Sequence, residues 1–410
     1  MLQIWKVKSF RWYWLGLLLS GLGDHFGWMG LMWCIGAETE SSAAMGSVIL
    51  LYFLPGVFSS LIAGVLLDRY DRRKLIIADN LLRGCIIAVL VILLAGGEPP
   101  MGLIYLLLAV AGMLAPLSLA GAQALLPQLI ADKQLLIKAN GLVQSQWQLT
   151  YLFGPGLAGL AVAWYGEMVV LTADAFSFFL CALCFVRIKT LSITNDRGDD
   201  RLAASSREAA PLFPSLLRDL RAGYRYMFAQ RPLFWLLVLS LFFNMSYGLM
   251  ELLQVYVQEV LNRDAAELGL LWSALACGSL VGSLLFSFFT LRFALGVMLS
   301  TIIVLWGITT LPLALWPSLP VALLSMVLAG LSFAPYGILY TSYLQREVPQ
   351  EMLGRVFTAN RTITGVGMPL GAYLSGFLIP VIGMQQLLGA ASLACVLVGL
   401  IAYRLLRHLR

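Results

Sequence analysis

Four carboxylic acids lie inside long apolar stretches of the sequence, where each could carry a proton or bind a cation. They are Asp24, Asp79, Asp174 and Glu251. A charged side chain at the centre of a bilayer costs at least about 2.5–3.5 kcal/mol, so such residues serve a function or are paired. A carboxyl group that is protonated when excluded from water and ionised when exposed to water suits a site that faces the two sides of a membrane in turn. We therefore take Asp24, Glu251 and Asp174 as proton-coupling candidates, with structural hydrogen bonding or helix packing as the alternative.

One basic residue, Arg83, also lies inside an apolar stretch. It follows Asp79 by four residues, and side chains at this spacing meet on one face of a helix. The sequence therefore predicts an Asp79–Arg83 ion pair close to the charged segment at 68–74. Direct contact with a bound molecule is the alternative.

Polar and aromatic residues in the same apolar stretches could line a binding cavity. Gln144, Gln148 and Tyr151 share a helix face, which suits an amphiphilic molecule, although hydrogen bonding between helices would use the same face. His25 follows Asp24 directly and could relay protons or simply pack. The cavity candidates are His25, Gln144, Gln148, Tyr151, Asn244 and Gln254.

Residues for other kinds of chemistry are missing from the sequence. It contains no phosphate-binding loop, no cluster of metal ligands and no set of nucleophile, histidine and acid. The six cysteines all lie in apolar segments, where packing is the simplest role. We therefore expect no enzyme activity, no ATP hydrolysis, no metal and no other cofactor.

The elements that must position these residues are membrane helices. The chain of 410 residues is 60% hydrophobic and 12% charged, whereas soluble proteins carry about 25% charged residues. A spanning helix needs about 20 mostly apolar residues, and such windows recur along the whole chain. The sequence therefore predicts an all-α polytopic membrane protein with twelve transmembrane helices. The predicted spans are 12–35, 43–67, 75–96, 102–126, 140–164, 168–186, 233–256, 268–290, 295–315, 319–342, 357–379 and 385–406.

The segments between these spans differ sharply in basic residues. Of 27 lysines and arginines, 25 fall on one side together with both termini; Arg83 lies within a span and Arg263 on the other side. Cytoplasmic loops of membrane proteins carry an excess of Lys and Arg. We therefore expect both termini in the cytoplasm and the lipid bilayer as the main partner. The net charge of +6 follows from this topology and does not indicate nucleic-acid binding.

A long polar segment divides the spans into two groups of six. The dipeptides Ala-Pro, Pro-Gln and Ala-Asn at 115, 127 and 139 recur at 334, 349 and 359, at a nearly constant offset. Parallel repeats of this kind are used by transporters. The sequence predicts an N-terminal half at 1–190, a cytoplasmic linker at 191–231 and a C-terminal half at 232–410. Residues 215–230 have the spacing of a basic amphipathic helix on the inner membrane surface.

The stretch 64–74, which contains the charged segment 68–74, resembles the signature loop between helices 2 and 3 of the major facilitator superfamily. Other stretches are similar to the drug:proton antiporter branch that holds macrolide-efflux and enterobactin-exporter-like proteins, including Asp-Asn-Leu-Leu-Arg at 79–83, Ala-Leu-Leu-Pro at 124–127 and Gly-Arg-Val at 354–356. An arginine that often precedes the Ala-Leu-Leu-Pro stretch is replaced by Ala122, and the span 102–126 carries no charge. The residues that match the signature loop are Gly64, Leu66, Asp68, Arg69, Arg72 and Arg73.

The resemblance implies the major facilitator fold and a gate at the cytoplasmic side. Asp68 would meet the start of the helix near 354–361 when that side is closed, since a helix N-terminus is partly positive. The gate candidates are Gly64, Asp68, Arg69, Arg72, Arg73, Asp79, Arg83, Arg355 and Arg361.

The resemblance also implies a function, which we take as an expectation. It is the export of a small amphiphilic molecule across a bacterial cytoplasmic membrane by proton antiport with alternating access, by a protein acting as a monomer. The substrate would be a drug, such as a macrolide, or a secreted metabolite, such as a siderophore or another metallophore. An importer, and a non-transporting protein that handles lipids or senses a signal, are the alternatives.

Overall fold

The long apolar segments all form helices. The computed structural model describes residues 4–97, 100–130, 132–189, 212–288 and 294–406, and these residues are almost entirely helical. The first part of the predicted linker, 191–211, lies outside the described residues. The long helices are α1 (Lys8–Thr39), α2 (Ser42–Arg69), α3 (Arg72–Ala95), α4 (Met101–Leu125), α5 (Lys133–Tyr165), α6 (Glu167–Val186), α7 (Leu212–Ala229), α8 (Arg231–Met250), α9 (Ala265–Phe288), α10 (Leu295–Leu315), α11 (Leu319–Glu347), α12 (Gln350–Ile382) and α13 (Met384–Leu406).

Ten helical segments in the described part of the chain are long and apolar enough to cross a membrane. They are α2, α3, α4, α6 and α8 to α13, with α8 taken through Val260. Helices α1 and α5 are also long, at 32 and 33 residues, but α1 carries Asp24 and His25 and α5 carries four glutamines. Their polarity is what separates them from the other ten, and the count of twelve spans remains a prediction.

Two helices begin earlier than predicted because an aspartate caps each one. The Asp71 carboxylate accepts a hydrogen bond from the Lys74 amide at 3.1 Å, and the Asp132 carboxylate accepts one from the Gln134 amide at 2.8 Å. Such caps satisfy amide groups that have no partner within the helix. Helix α3 therefore begins at residue 72 instead of 75, and α5 at residue 133 instead of 140.

The predicted span 233–256 is not one continuous helix. Helix α8 ends at Met250, and the chain continues as a short helix, Leu253–Val255, and a π-helical turn, Tyr256–Val260. The break falls at Glu251 and Leu252, where the Leu252 backbone has φ −95° and ψ 17°, outside the helical region. The amide of Glu251 bonds to the carbonyl of Gly248 at 3.2 Å, one residue closer than in an α-helix. A candidate acid thus lies at a helix discontinuity.

Two sets of helices, α1–α6 and α8–α13, meet along two seams. Helix α2 packs against α12, and α5 packs against α9. We call the end of the molecule that bears the turn between α2 and α3 the loop end, and the opposite end the far end. The starts of α1 and α3 and the end of α6 gather at the loop end, since Ser9 bonds to the Lys189 carbonyl at 2.8 Å and Arg73 to the Phe185 carbonyl at 2.9 Å.

The two sets are in tight contact at the far end. The Ser42 hydroxyl at the start of α2 donates to the Gly376 carbonyl of α12 at 2.8 Å. In the other seam, a Cβ atom built on Gly159 of α5 would lie 2.9 Å from the Cα atom of Gly269 of α9. Only glycine allows backbones to approach so closely. The far end is therefore sealed by backbone packing.

At the loop end, helices α2 and α12 stand apart. In the α2–α12 seam, a Cβ atom built on Gly365 would lie 3.2 Å from the Val57 side chain, whereas one built on Gly64 or on Gly354 would meet nothing within 4 Å. The Asp68 side chain is 81% exposed. Residues 64 and 354 each lie about two to three helical turns closer to the loop end than the Gly365 contact. The molecule is thus closed at the far end and open at the loop end.

Helix α7 packs on the start of α12, which agrees with the predicted amphipathic helix at 215–230. Leu220 and Met227 are buried, while Arg218, Arg221 and Arg225 are exposed. The Arg355 guanidinium pairs with the Asp219 carboxylate at 2.8 Å. Helix α7 therefore ties the segment between the two sets to the loop end of α12.

Candidate functional site

Asp24 of α1 is paired with Arg83 of α3. The Arg83 Nη2 atom lies 2.9 Å from the Asp24 Oδ1 atom and 3.1 Å from the Tyr52 hydroxyl of α2. The Arg83 guanidinium also lies over the Phe178 ring of α6, 4.3 Å from its centroid. The arginine side chain is 8% exposed, whereas the Asp24 side chain is 47% exposed. The buried Arg83 guanidinium thus holds the Asp24 carboxylate in place, and this carboxylate remains accessible.

The structure corrects the expected pairing of Arg83 with Asp79. The guanidinium turns to Asp24, and the Asp79 Oδ2 atom instead accepts a hydrogen bond from the Ser118 hydroxyl of α4. Asp79 remains an electrostatic neighbour of Arg83. The physical reason is the additional hydrogen bond to Tyr52 and the aromatic face of Phe178, which together favour one direction for the long arginine side chain.

Asp174 lies near this cluster but faces the backbone of α1. A Cβ atom built on Gly27 would lie 2.5 Å from the Asp174 Cγ atom, and one on Gly23 would lie 2.9 Å from its Oδ1 atom. Its side-chain partner is the Ser177 hydroxyl, at 3.4 Å. The two glycines therefore make room for a carboxyl group that is buried between α1 and α6.

A second acid, Glu251, lies where the two helix sets meet. Its carboxyl group is within hydrogen-bonding reach of the Trp28 side chain of α1. The Trp28 ring lies 5.5 Å from the ring of Tyr52, which bonds to Arg83. Side chains thus link the Asp24–Arg83 pair, on the first set, to the discontinuity of α8 on the second set.

His25 and Tyr151 lie on the same side of the site. A Cβ atom built on Gly154 of α5 would lie 2.7 Å from the His25 Cγ atom, and the rings of His25 and Tyr151 are 6.4 Å apart. The Tyr151 hydroxyl reaches the Tyr247 side chain of α8, so these residues also bridge the two sets.

Gln148 and Gln144 lie on the Tyr151 face of α5, one turn and two turns nearer the loop end, respectively, and both are exposed. The intervening Gln146 is buried, and its Oε1 atom has no hydrogen-bond partner among the described residues. The expected polar face therefore exists and leads from the interface of the two sets towards the open end.

The other two cavity candidates lie elsewhere. Asn244 donates to the Ser240 carbonyl of its own helix at 2.7 Å, and the close approach of Gly367 covers its Cβ atom. Gln254 is buried at the far end, 3.5 Å from the Trp33 carbonyl. Neither is exposed at the loop end, so the structure places Asn244 in helix packing and Gln254 in the far-end contact.

The signature loop binds helix ends of its own set. Arg72 donates to the Ala124 carbonyl of α4 at 2.8 Å and lies 3.9 Å from Asp68. Arg73 donates to the carbonyls of Phe185 and Val186, at 2.9 Å and 2.5 Å. Basic side chains stabilise the partly negative C-terminal ends of helices. In this open state the loop therefore holds α2, α4 and α6 together.

The remaining gate candidates are exposed at the loop end. Asp68 and Arg69 end α2, and Arg361 lies on the first turns of α12. Arg355 pairs with Asp219 of α7. The predicted contact of Asp68 with the start of α12 belongs to a state closed at this end and stays a prediction.

Several residues of the site were not singled out in the sequence. Tyr52, Trp28 and Tyr247 are aromatic residues in apolar helices and look like ordinary packing residues there. Ser118 is a single hydroxyl in α4 and carries no distinctive spacing. The signal that could have found Ser118 is its place in a helix facing the Asp79-Asn80 dipeptide, and that requires knowledge of the helix arrangement.

Comparison with known sequences supports the resemblance over nearly the whole chain. The family model of the Major Facilitator Superfamily matches residues 9–372, and a second match covers 252–409. The multidrug efflux pump Tap of Mycobacterium tuberculosis is 27% identical over 398 residues, covering 95% of this chain and 91% of that protein. Macrolide efflux protein A of Streptococcus pyogenes is 24% identical over 399 residues, covering 96% of this chain and 95% of that protein.

Solved structures share the fold at low sequence identity. The nucleoside transporter NupG superimposes with a TM-score of 0.79 at 11% identity, over 98% of this chain and 99% of that one. The peptide transporter POT superimposes with a TM-score of 0.72 at 12% identity, over 98% and 96%. At this identity the likeness concerns the fold alone. The family match and the helical architecture agree, and the chain belongs to the Major Facilitator Superfamily: it is a transporter and not an enzyme.

Proposed function

We propose that this protein exports a small amphiphilic molecule by proton antiport, with access to its site alternating between the two sides of a bacterial cytoplasmic membrane. Helices α1–α6 and α8–α13 would be the twelve spans, in two halves joined by the linker at 191–231. Both termini and the loop end would face the cytoplasm. The energy source would be the proton gradient, with no cofactor, and the protein would act as a monomer.

The observation that carries this proposal is the Asp24–Arg83 pair. A half-exposed carboxylate beside a buried guanidinium can bind either a proton or a cation, and whichever it binds weakens its attraction to the arginine. Competition of two cations for one acid is the simplest basis for antiport. The pair lies in a molecule that is open at one end and sealed at the other, as alternating access requires.

The lining of the site favours an amphiphilic substrate with a positive charge. Asp24 and Glu251 offer negative charge, and the rings of Trp28, Tyr52 and Tyr151 offer apolar and cation–π surface. The relatives named as multidrug and macrolide efflux proteins support a drug as the substrate. A secreted metabolite such as a siderophore remains the second substrate class, which the sequence-based expectation included.

The test is transport into everted membrane vesicles with an imposed inside-acid pH gradient. A radiolabelled macrolide and the lipophilic cation ethidium serve as probes. We expect wild-type vesicles to accumulate at least one probe, and a proton/potassium exchanger that collapses the gradient to stop the uptake. Asp24→Asn and Glu251→Gln should each reduce gradient-driven uptake at least about tenfold, the effect of one lost interaction of about 1.4 kcal/mol.

The conservative variant Arg404→Lys serves as a control, since it alters an exposed residue at the end of α13. It should transport as well as the wild type. Full gradient-driven uptake by both acid variants would show that neither acid couples transport to protons. Uptake that needs right-side-out vesicles instead would identify an importer.

A further inference from the structure

Three acids surround one base inside the first helix set. Asp24 from α1, Asp79 from α3 itself and Asp174 from α6 all lie near Arg83. The other titratable groups facing the cluster are His25, next to Asp24 on α1, Tyr52 from α2 and Cys181 from α6, and α4 contributes the uncharged Ser118. With all three acids ionised, the cluster would hold two uncompensated negative charges in the apolar interior, so its acids must differ in protonation.

The three carboxyl groups have different surroundings. Asp24 is half-exposed and bonds to the guanidinium at 2.9 Å. Asp174 is packed against the α1 backbone at Gly23 and Gly27 and is 3% exposed. Asp79 is 1% exposed, and it is the acid closest to Arg83 along the chain. Asp24 is thus the ionised member, and Asp174 is an enclosed structural acid.

The carboxyl group of Asp79 has a vacant acceptor position. Ser118 donates to its Oδ2 atom, while the Oδ1 atom has no hydrogen-bond partner among the described residues. The neighbouring Asn80 amide is already used, donating to Ser118 at 3.0 Å and to the Ile76 carbonyl at 2.8 Å. An ionised carboxylate without a cation and with an empty oxygen is costly in an apolar interior. A neutral carboxyl group costs less at this position than a carboxylate, so we take Asp79 as protonated in this state.

Arg83 is the donor that could fill this vacancy. It lies one helical turn after Asp79 on the same helix, and a guanidinium has five N–H groups in a planar fork. In the present state the two N–H groups of its Nη2 atom are directed to Asp24 and Tyr52. A rotation of the side chain about its own bonds would exchange one carboxyl partner for the other without moving a helix.

We propose that Asp79 carries the transported proton and that Arg83 exchanges its partner from Asp24 to Asp79 when this proton leaves. In the step, the Asp79 O–H bond breaks and the proton passes to water at the open loop end. The new carboxylate pairs with Arg83, so Asp24 keeps its negative charge without a partner. Asp24 is then free to bind the cationic group of a substrate. One proton leaves and one cation enters, so the charge of the cluster is conserved.

This inference rests on the proposed export by proton antiport, and it changes the roles expected for two acids. Asp24 then binds only the cation and competes with the proton indirectly, through Arg83, instead of binding both. A residue predicted as part of the cytoplasmic gate becomes the proton carrier, and Arg83 becomes the positioning residue that couples it to Asp24.

Infrared spectroscopy of the purified protein in lipid bilayers tests this inference without any transport. Protonated carboxyl groups have a C=O stretching band apart from that of carboxylates, and the band is followed as a function of pH. We expect a band in the wild type that Asp79→Asn removes. Ser118→Ala should retain the band at a shifted frequency, because the acid stays and its hydrogen-bond partner is lost.

The decisive variant is Asp24→Asn. With its present partner neutral, Arg83 should turn to Asp79, and the Asp79 band should disappear although Asp79 is still present. Asp174→Asn is the matched control, since it removes an enclosed acid of the same cluster and should leave the Asp79 band in place.

A spectrum of Asp79→Asn that matches the wild type would overturn the inference, as would an Asp79 band that persists unchanged in Asp24→Asn. If Asp79→Asn does not fold, the Ser118→Ala and Asp24→Asn spectra decide alone. If the bands behave as expected but wild-type vesicles show no gradient-driven uptake, the proposed export is refuted and the proton site at Asp79 is retained. Gradient-driven transport without these bands would refute the proton site alone.

Discussion

At the scale of the residue, the ion-pair partner of Arg83 is what the sequence could not predict. An arginine in an apolar helix requires an acid, and the spacing rule names Asp79 on the same helix. The structure selects Asp24 on another helix, because Tyr52 and Phe178 support the guanidinium in that direction. These partners are distant in sequence, so their convergence could not be predicted without the fold. The need for a pair was predictable, and the choice of partner was not.

The planar guanidinium should be essential at position 83. Arg83→Lys keeps the charge but cannot bond to Asp24 and Tyr52 together while lying flat over Phe178. We expect the free energy of unfolding to fall by about 1.5–3 kcal/mol, the range for a hydrogen bond to a charged group. Thermal unfolding in detergent measures this against Arg404→Lys, and equal unfolding temperatures of the two variants would count against the described contacts.

At the scale of the element, the positions of the helices were largely predictable and their ends and breaks were not. Continuous apolar windows located the cores of the spans, and the caps at Asp71 and Asp132 explain why α3 and α5 begin earlier. The break of α8 at Glu251 had no such signal, since the segment contains no proline there. Glu251 at the break reaches Trp28 on another helix, and the sequence does not reveal this contact.

The space beside each glycine predicts opposite effects on stability for alanine substitutions at Gly27, which packs on Asp174, and at Gly64, which meets no other residue. Gly27→Ala would place a Cβ atom 2.5 Å from the Asp174 Cγ atom, so α1 and α6 must separate. We expect a loss of about 1–3 kcal/mol of stability from this overpacking. Gly64→Ala meets nothing within 4 Å, and should gain up to about 1 kcal/mol from higher helix propensity.

Thermal unfolding of both glycine variants gives the comparison. Gly64→Ala should be at least as stable as the wild type in the open state. If it also transports normally, a close approach at Gly64 is not needed in the state closed at the loop end. If Gly27→Ala is as stable as the wild type, the described packing of α1 on α6 is wrong.

The docking of α7 should depend on Gly223. A Cβ atom built there would lie 2.9 Å from the Arg355 carbonyl carbon of α12, so Gly223→Leu should detach α7 from α12. We expect faster hydrogen exchange of the α7 amides by mass spectrometry. The surface ion pair of Asp219 with Arg355 contributes at most about 1 kcal/mol and should not hold α7 alone.

The matched control for α7 is Ala229→Leu, which adds the same side chain at an exposed position of the same helix. Its exchange should resemble that of the wild type. Unchanged exchange in Gly223→Leu would mean that α7 is held by contacts other than this close approach.

At the scale of the whole molecule, the two helix sets differ in chemistry. The first set holds the charged cluster of Asp24, Asp79, Asp174 and Arg83, whereas the second set packs aromatic rings around Phe243 and Trp306. They meet at Glu251 and Trp28. Charge composition and internal repeats predicted a polytopic membrane protein of the transporter type, the resemblance of the signature loop implied the superfamily, and the family match confirms the superfamily. The open state could not be predicted, since one sequence serves every state of the transport cycle.

Alternating access coupled to protonation is the central claim, and paired spin-label distances test it most directly. In a background without its six cysteines, one pair of labels at Lys138 and Leu285 reports on the loop end, and another at Glu40 and Val381 reports on the far end. All four positions are exposed.

We predict that raising the pH in the presence of a transported probe shortens the loop-end distance while the far-end distance lengthens. Asp24→Asn should hold both distances at their values in the open state. Distances that do not respond to pH and probe, or that lengthen at both ends together, would contradict the account.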